Sequence, residues 1–196
     1  MEMKIRITLT EEALGMQPAN KEIHETYIAS KAPDAVKLSE EIAANGVEEV
    51  VEKTMTVFPK LEDGTPFFWD YQLRGFFKDS IGMLRRVKNK KCSKLTSYKK
   101  IVDGLIFIKE RKVPIHLSGP MGDCQRPLRA DTMQGPRVAL AHSESVPAGS
   151  FIEFTVILLD DSLEGVVKEC FDYGALRGLG QWRNSGMGRF EWKEVA

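Results

Sequence analysis

This sequence has few of the residues that usually announce chemistry. Its three cysteines, Cys92, Cys124 and Cys170, are odd in number and far apart, which excludes a CxxC zinc site and argues against a disulfide framework. Reduced thiols are the expectation, and with them a cytoplasmic location. There are three histidines, His24, His116 and His142. No HExxH, paired-carboxylate motif or Ser-His-Asp arrangement surrounds them. No stretch approaches the roughly 18 apolar residues that span a bilayer, and residues 1–10 lack the apolar core of a signal peptide. No residue pattern calls for a cofactor or a metal. Charge of one sign is also missing: 28 Lys and Arg balance 28 Asp and Glu, for a formal net charge of zero. A whole-molecule field that draws in nucleic acid is therefore absent, and any anion site must come from local clustering.

The charge that is present is clustered. Residues 11–63 are acidic, whereas from Arg74 to Lys112 thirteen Lys and Arg residues face only Asp79, Asp103 and Glu110. Two solvated faces of opposite sign would account for this, and so would a binding surface. Apolar residues alternate over residues 3–10, with Ile5, Ile7 and Leu9 on one side, as in a half-buried strand. Polar, helix-compatible stretches occupy 18–32 and 34–44, and residues 16–56 read as an insert. Residues 55–59 suggest a short strand. Residues 67–86 have helical spacing at Tyr71, Phe76, Ile81 and Leu84, with Asp70 as the N-cap. Two apolar runs, 105–108 and 113–117, read as strands, and 87–100 as a lysine-rich loop or frayed helix end. Residues 126–141 mix Pro, Arg and Gly without clear periodicity. The run 151–159 is the clearest strand, followed by a helix bearing Leu163, Val166, Val167, Cys170 and Phe171, and a final strand at 190–192. Strands and helices that mix without strict alternation predict an α+β fold: a ferredoxin-like, RRM-like antiparallel sheet with helices on one face and an inserted helical segment. A chain of 196 residues suits one such domain spanning 1–196.

The most informative stretch is residues 178–190. Gly178, Gly180, Gly186 and Gly188 permit positive φ or close backbone approach, and successive amides freed in this way can form an anion nest. Arg177, Arg183 and Arg189 add fork-shaped cations suited to phosphate. Asn184 and Ser185 add polar contacts, and Trp182 offers a face on which a base can stack. A plain Gly-rich turn with solvated arginines is the bland alternative. No Gly-Lys-Ser/Thr follows, so this is not a Walker loop, and it follows a helix rather than a strand, so it is not a dinucleotide fingerprint. Arg74 and Lys78, four apart, share a helix face. They are candidates to join the same ligand, with pairing of Arg74 to Asp70 as the alternative. A secondary cluster, Arg126, Arg129 and Arg137 with Gln125 and Gln134, reads as either a ligand-touching loop or a surface turn.

Residues 178–190 resemble the glycine-rich loop of the RAMP superfamily, the repeat-associated RNA-binding proteins of CRISPR systems. Residues 5–15 are similar to that family's first strand and turn. Residues 67–84, with 71–78 at their centre, are similar to the Leu-Lys/Arg-Gly helix start of Cas7-type members, and 145–151 leading into 153–159 to the turn before the penultimate strand. The resemblance implies a ferredoxin-like fold, a helix start packed near the glycine-rich loop, and binding of RNA. The short chain suggests a stand-alone member of the kind found on phages and mobile elements.

The functional expectation is non-catalytic binding of RNA, or of another phosphate-bearing nucleotide, through the Gly/Arg-rich loop and the basic helix. One rival is a phage-type anti-defence protein that sequesters a small nucleotide signal or docks on a host CRISPR complex through its acidic segment. Another is a Cas6-like endoribonuclease using a histidine as general base. Partners left open by the sequence are RNA, a small nucleotide, a host or CRISPR protein complex, and a second copy of the chain; no membrane is expected.

Overall fold

The computed structural model describes residues 1–19, 55–132 and 135–195, and for 128–132 and 135–139 the backbone only. The expected helices at 18–32 and 34–44, and His24, lie outside the described residues. The chain divides into two compact units. The first comprises Met1–Ala13, Pro59–Pro120 and Val146–Ala196; the second comprises Leu14–Phe58 and Met121–Ser145.

In the first unit, β1 (Glu2–Leu9) and β10 (Phe151–Leu158) bury every second residue, the period-two signature seen in the sequence. They pair antiparallel with Ile5 opposite Phe154 and form the centre of the sheet. On the far side of β1 lies β11 (Phe190–Glu194), antiparallel with Leu9 opposite Phe190. On the far side of β10 lie β6 (Ile106–Ile108) and β7 (Lys112–His116), which follow one another along the same edge. Between them the ladder is broken, and the Glu110 carboxylate bridges the gap. It accepts Thr155 N–H at 2.8 Å and the Thr155 hydroxyl at 3.0 Å. A short outer strand, β5 (Phe67–Trp69), pairs antiparallel with β7. With β6 and β7 taken as one interrupted strand, the spatial order is fourth, first, third, second. That is the ferredoxin-like arrangement expected from the sequence.

Three α-helices occur among the described residues: α1 (Asp70–Leu84), α2 (Tyr98–Leu105) and α3 (Glu164–Arg177). α1 begins one residue earlier than the sequence suggested. Trp69 is its N-cap, and the Gln72 side chain accepts the Trp69 N–H at 2.9 Å. Asp70, expected as the cap, is the first helical residue and is used for ion pairing instead. α2 was not anticipated; it starts after Ser97, held in the left-handed region at φ 50°. α1 and α3 cover one face of the sheet through a phenylalanine cluster. Phe171 of α3 meets Phe77 of α1 at 5.3 Å and Phe154 of β10 at 6.2 Å, and Phe76 meets Phe190 of β11 at 5.7 Å. Phe77, Phe171 and Phe190 are fully buried, and each contributes about 1.5–3 kcal/mol by leaving water.

In the second unit, β8 (Gly122–Thr132) and β9 (Gly135–Val146) form one long antiparallel hairpin, from Gly122 opposite Ser145 to Thr132 opposite Gly135. The irregular loop expected over 126–141 is therefore corrected to a pair of strands. Pro127 misled the reading because proline is tolerated on an edge strand, and among the described residues β8 pairs only with β9. Short strands β2 (Ala13–Leu14), β3 (Gln17–Pro18) and β4 (Thr56–Val57) complete this sheet, with β4 parallel to β9 at Thr56 and Ser143.

Candidate nucleic-acid interface

α3 ends where its glycine allows. Gly178 has φ 78° and returns its N–H to Gly174 O at 2.8 Å. The chain then folds back on itself: Leu179 N–H bonds Gly188 O at 2.8 Å, and Gly188, at φ 70°, bonds Glu12 O at 2.6 Å. A Cβ on Gly188 would collide with the Leu179 carbonyl oxygen, and one on Gly178 with the Met187 carbonyl oxygen. Both positions therefore need glycine for close backbone crossing. The N–H groups of Gly178 and Gly188 are spent on these bonds, and that of Gly186 on Arg183 O at 3.0 Å. The amides at these three glycines are therefore not open to an anion.

The crossing leaves residues 179–187 as a closed loop with a short 3-10 turn, Arg183–Ser185, at its far end. Trp182 precedes that turn with φ 51° and ψ 33°, a left-handed conformation rare for a bulky residue, and is 38% exposed. Arg177, Gly180, Gln181, Trp182, Arg183 and Asn184 line a concavity of about 350 Å³. Its two arginines are tied to one carboxylate on α1. Arg177 Nε lies 3.2 Å and Arg183 Nη1 2.7 Å from Asp79 Oδ2. Arg177 Nη1 also donates to Asn184 Oδ1 at 2.6 Å. Two guanidinium groups against one carboxylate leave the cluster with one net positive charge. Each guanidinium keeps further N–H donors beyond these bonds.

The structure thus brings together Arg177, Gly180, Trp182, Arg183 and Asn184. Arg189 lies apart, its Nε donating to Leu176 O at 3.2 Å. Ser185 N–H bonds Trp182 O at 3.0 Å within the turn. Arg74 and Lys78 are not brought to the concavity. Arg74 pairs with Asp70 at 3.2 Å, and Asp70 is shared with Arg111 at 2.5 Å. Lys78 pairs with Asp103 at 2.5 Å. The contribution of α1 is instead Asp79, which sequence reasoning noted only as a stray acid in a basic run. In the second unit, Arg126 is buried and donates to Ser143 Oγ at 3.1 Å, which in turn bonds Thr56 Oγ1 at 2.7 Å. Of Arg129, Arg137 and Gln134 no side-chain placement is described. His116 stacks on Phe151 at 4.5 Å, and His142 pairs through Nε2 with Asp123.

No family model matches the sequence, and no curated protein matches it. Solved structures do match. A chain of the Type III-B Cmr-beta complex bound to cognate target RNA superposes with TM-score 0.56 at 8% identity. A chain of a Type IV-B CRISPR complex superposes with TM-score 0.50 at 12% identity. The fold is shared with these two chains. The protein is covered in full by both comparisons; it spans 60% of the length of the first chain and 91% of the second. The likeness agrees with the α+β, ferredoxin-like fold expected from the sequence. The match is one of fold, and does not bear on a phage or mobile-element origin. No described helix is long and apolar enough to cross a membrane.

Proposed function

We propose that this chain binds RNA without cutting it, with a phosphate held between Arg177 and Arg183 and a base stacked on Trp182. The carrying observation is the shared anchor. Asp79 fixes two guanidinium groups on one side of a concavity whose lining also includes a part-exposed indole. Pre-positioned arginines lose less side-chain freedom when a phosphate arrives, and aromatic faces accept any base. The fold likeness adds to this, since one of the matched complexes is bound to target RNA. The lining residues are Arg, Gly, Gln, Trp and Asn, none of which serves as a general base at neutral pH, and the nearby carboxylate is tied to two arginines.

The test is fluorescence anisotropy with a labelled 20-nucleotide oligouridylate, comparing the wild type with Arg183→Gln, which can still hydrogen-bond Asp79. Loss of one charge-assisted contact of about 1.5–3 kcal/mol should weaken binding by about 10-fold or more. Equal affinity in the two proteins, or no RNA binding by the wild type, would overturn the reading.

A further inference from the structure

The connection between α1 and α2 carries a second cationic feature that the loop does not use. Residues 85–100 hold eight Lys and Arg residues and no Asp or Glu, and all eight are exposed. Elsewhere in the first unit the basic side chains are mostly matched: Arg6 with Glu153, Lys109 with Glu2, Lys168 with Glu164, Lys78 with Asp103. Within 85–100 no ion pair forms among the described residues.

This is a built surface. The Glu169 carboxylate of α3 accepts Lys91 N–H at 2.9 Å and Cys92 N–H at 3.0 Å. Cys92 is fully buried at the centre of the 3-10 turn Lys91–Lys94. Arg85 stacks over the Tyr98 ring at 5.0 Å. The turn is thus pinned to the fold while its lysines stay in water. Clustered like charges cost repulsion, which the Glu169 carboxylate, engaged by two backbone N–H groups and acting at a distance on Lys90, offsets only in part. The complement such a surface lacks is a polyanion. Lysine heads are point charges on flexible stems, and each can neutralise a phosphate of a nucleic-acid backbone without a fixed geometry.

We infer that the surface formed by residues 85–100 holds the phosphodiester backbone of the RNA strand whose other end reaches the C-terminal loop. The inference rests on the RNA-binding reading above. α3 connects the two places: Glu169 fixes the basic turn and Arg177 lines the concavity, about 12 Å apart along the helix axis. A strand of a few nucleotides bridges that distance.

The test uses the full chain with Lys88, Lys90, Lys94, Lys99 and Lys100 all changed to Gln. None of these makes a described ion pair, and Arg85 and Lys91, which rest on Tyr98 and beside Gly165, are left in place. Oligouridylate affinity is measured across a salt series for wild type, this variant and Arg183→Gln. Each phosphate neutralised on a single strand adds about 0.7 to the steepness of log K against log salt. The five-fold variant should lose about 2 or more from that slope, with a thermal midpoint at or above that of the wild type. A change below about 0.7, less than one phosphate, would overturn the inference while leaving the loop reading intact. If Arg183→Gln binds as wild type and the five-fold variant does not, the basic surface stands and the loop reading fails. No binding by the wild type removes both.

Discussion

Trp182 holds a backbone conformation that costs a bulky residue about 1–3 kcal/mol, and it does so on the rim of the concavity with 38% of its surface exposed. Such strain survives where surrounding structure enforces it, here the hydrogen-bonded crossing of Leu179 with Gly188 and the turn that follows. Trp182→Gly would relieve the strain, because glycine adopts positive φ freely. The expected outcome is a split: a thermal midpoint at or above wild type, and RNA affinity lower by about 1–3 kcal/mol from the lost stack. Calorimetry and anisotropy on the same preparation check both halves. Gly188 is the opposite case, where a side chain has no room and any substitution opens the loop. These positions were legible as a Gly/Arg cluster, because glycine and arginine carry their conformational and chemical properties in their identity. Asp79 was not legible, because a single carboxylate acquires its role only from what the fold puts beside it.

At the scale of elements, the central strands were read correctly because one face is buried and one is not, so alternation survives in the sequence as Ile5, Ile7 and Leu9 or as residues 151–159. α1 was legible for the same reason at helical spacing. The hairpin of β8 and β9 was not. Pro127 and Pro136 within it look like loop residues, and only pairing across the hairpin shows that they are tolerated. α2 was hidden because Lys99 and Lys100 dilute its short apolar face of Ile101, Val102 and Leu105. The 3-10 turn Lys91–Lys94 depends on Glu169, a long-range partner no local pattern reveals. Partial burial raises the pKa of that carboxyl, but the N–H groups of Lys91 and Cys92 outweigh it, and the net shift is downward. A depressed folded-state value means that the stabilisation is complete above the ordinary carboxylate value of 4.5 and is lost as pH falls through the folded value. Protection of the Lys91 and Cys92 amides in hydrogen exchange should therefore be constant above about pH 4.5 and weaken below it. Glu169→Gln should remove that pH dependence.

For the whole molecule, zero net charge means that the proposed attraction to RNA is local: a concavity with one net positive charge, and the surface over residues 85–100, whose eight cations form no ion pair among the described residues. The sheet order and helix placement belong to a fold shared at 8% and 12% identity, a level at which most side chains differ. Fold and function separate at that distance, so the decisive test must come from the ligand. The most direct one is photo-crosslinking of a 5-iodouridine-labelled oligouridylate to the wild-type protein, followed by peptide mass spectrometry. The account predicts a cross-link on Trp182, within the peptide 178–183, that disappears when excess unlabelled RNA competes. Cross-links confined to other peptides, or none that RNA competes away, would contradict it.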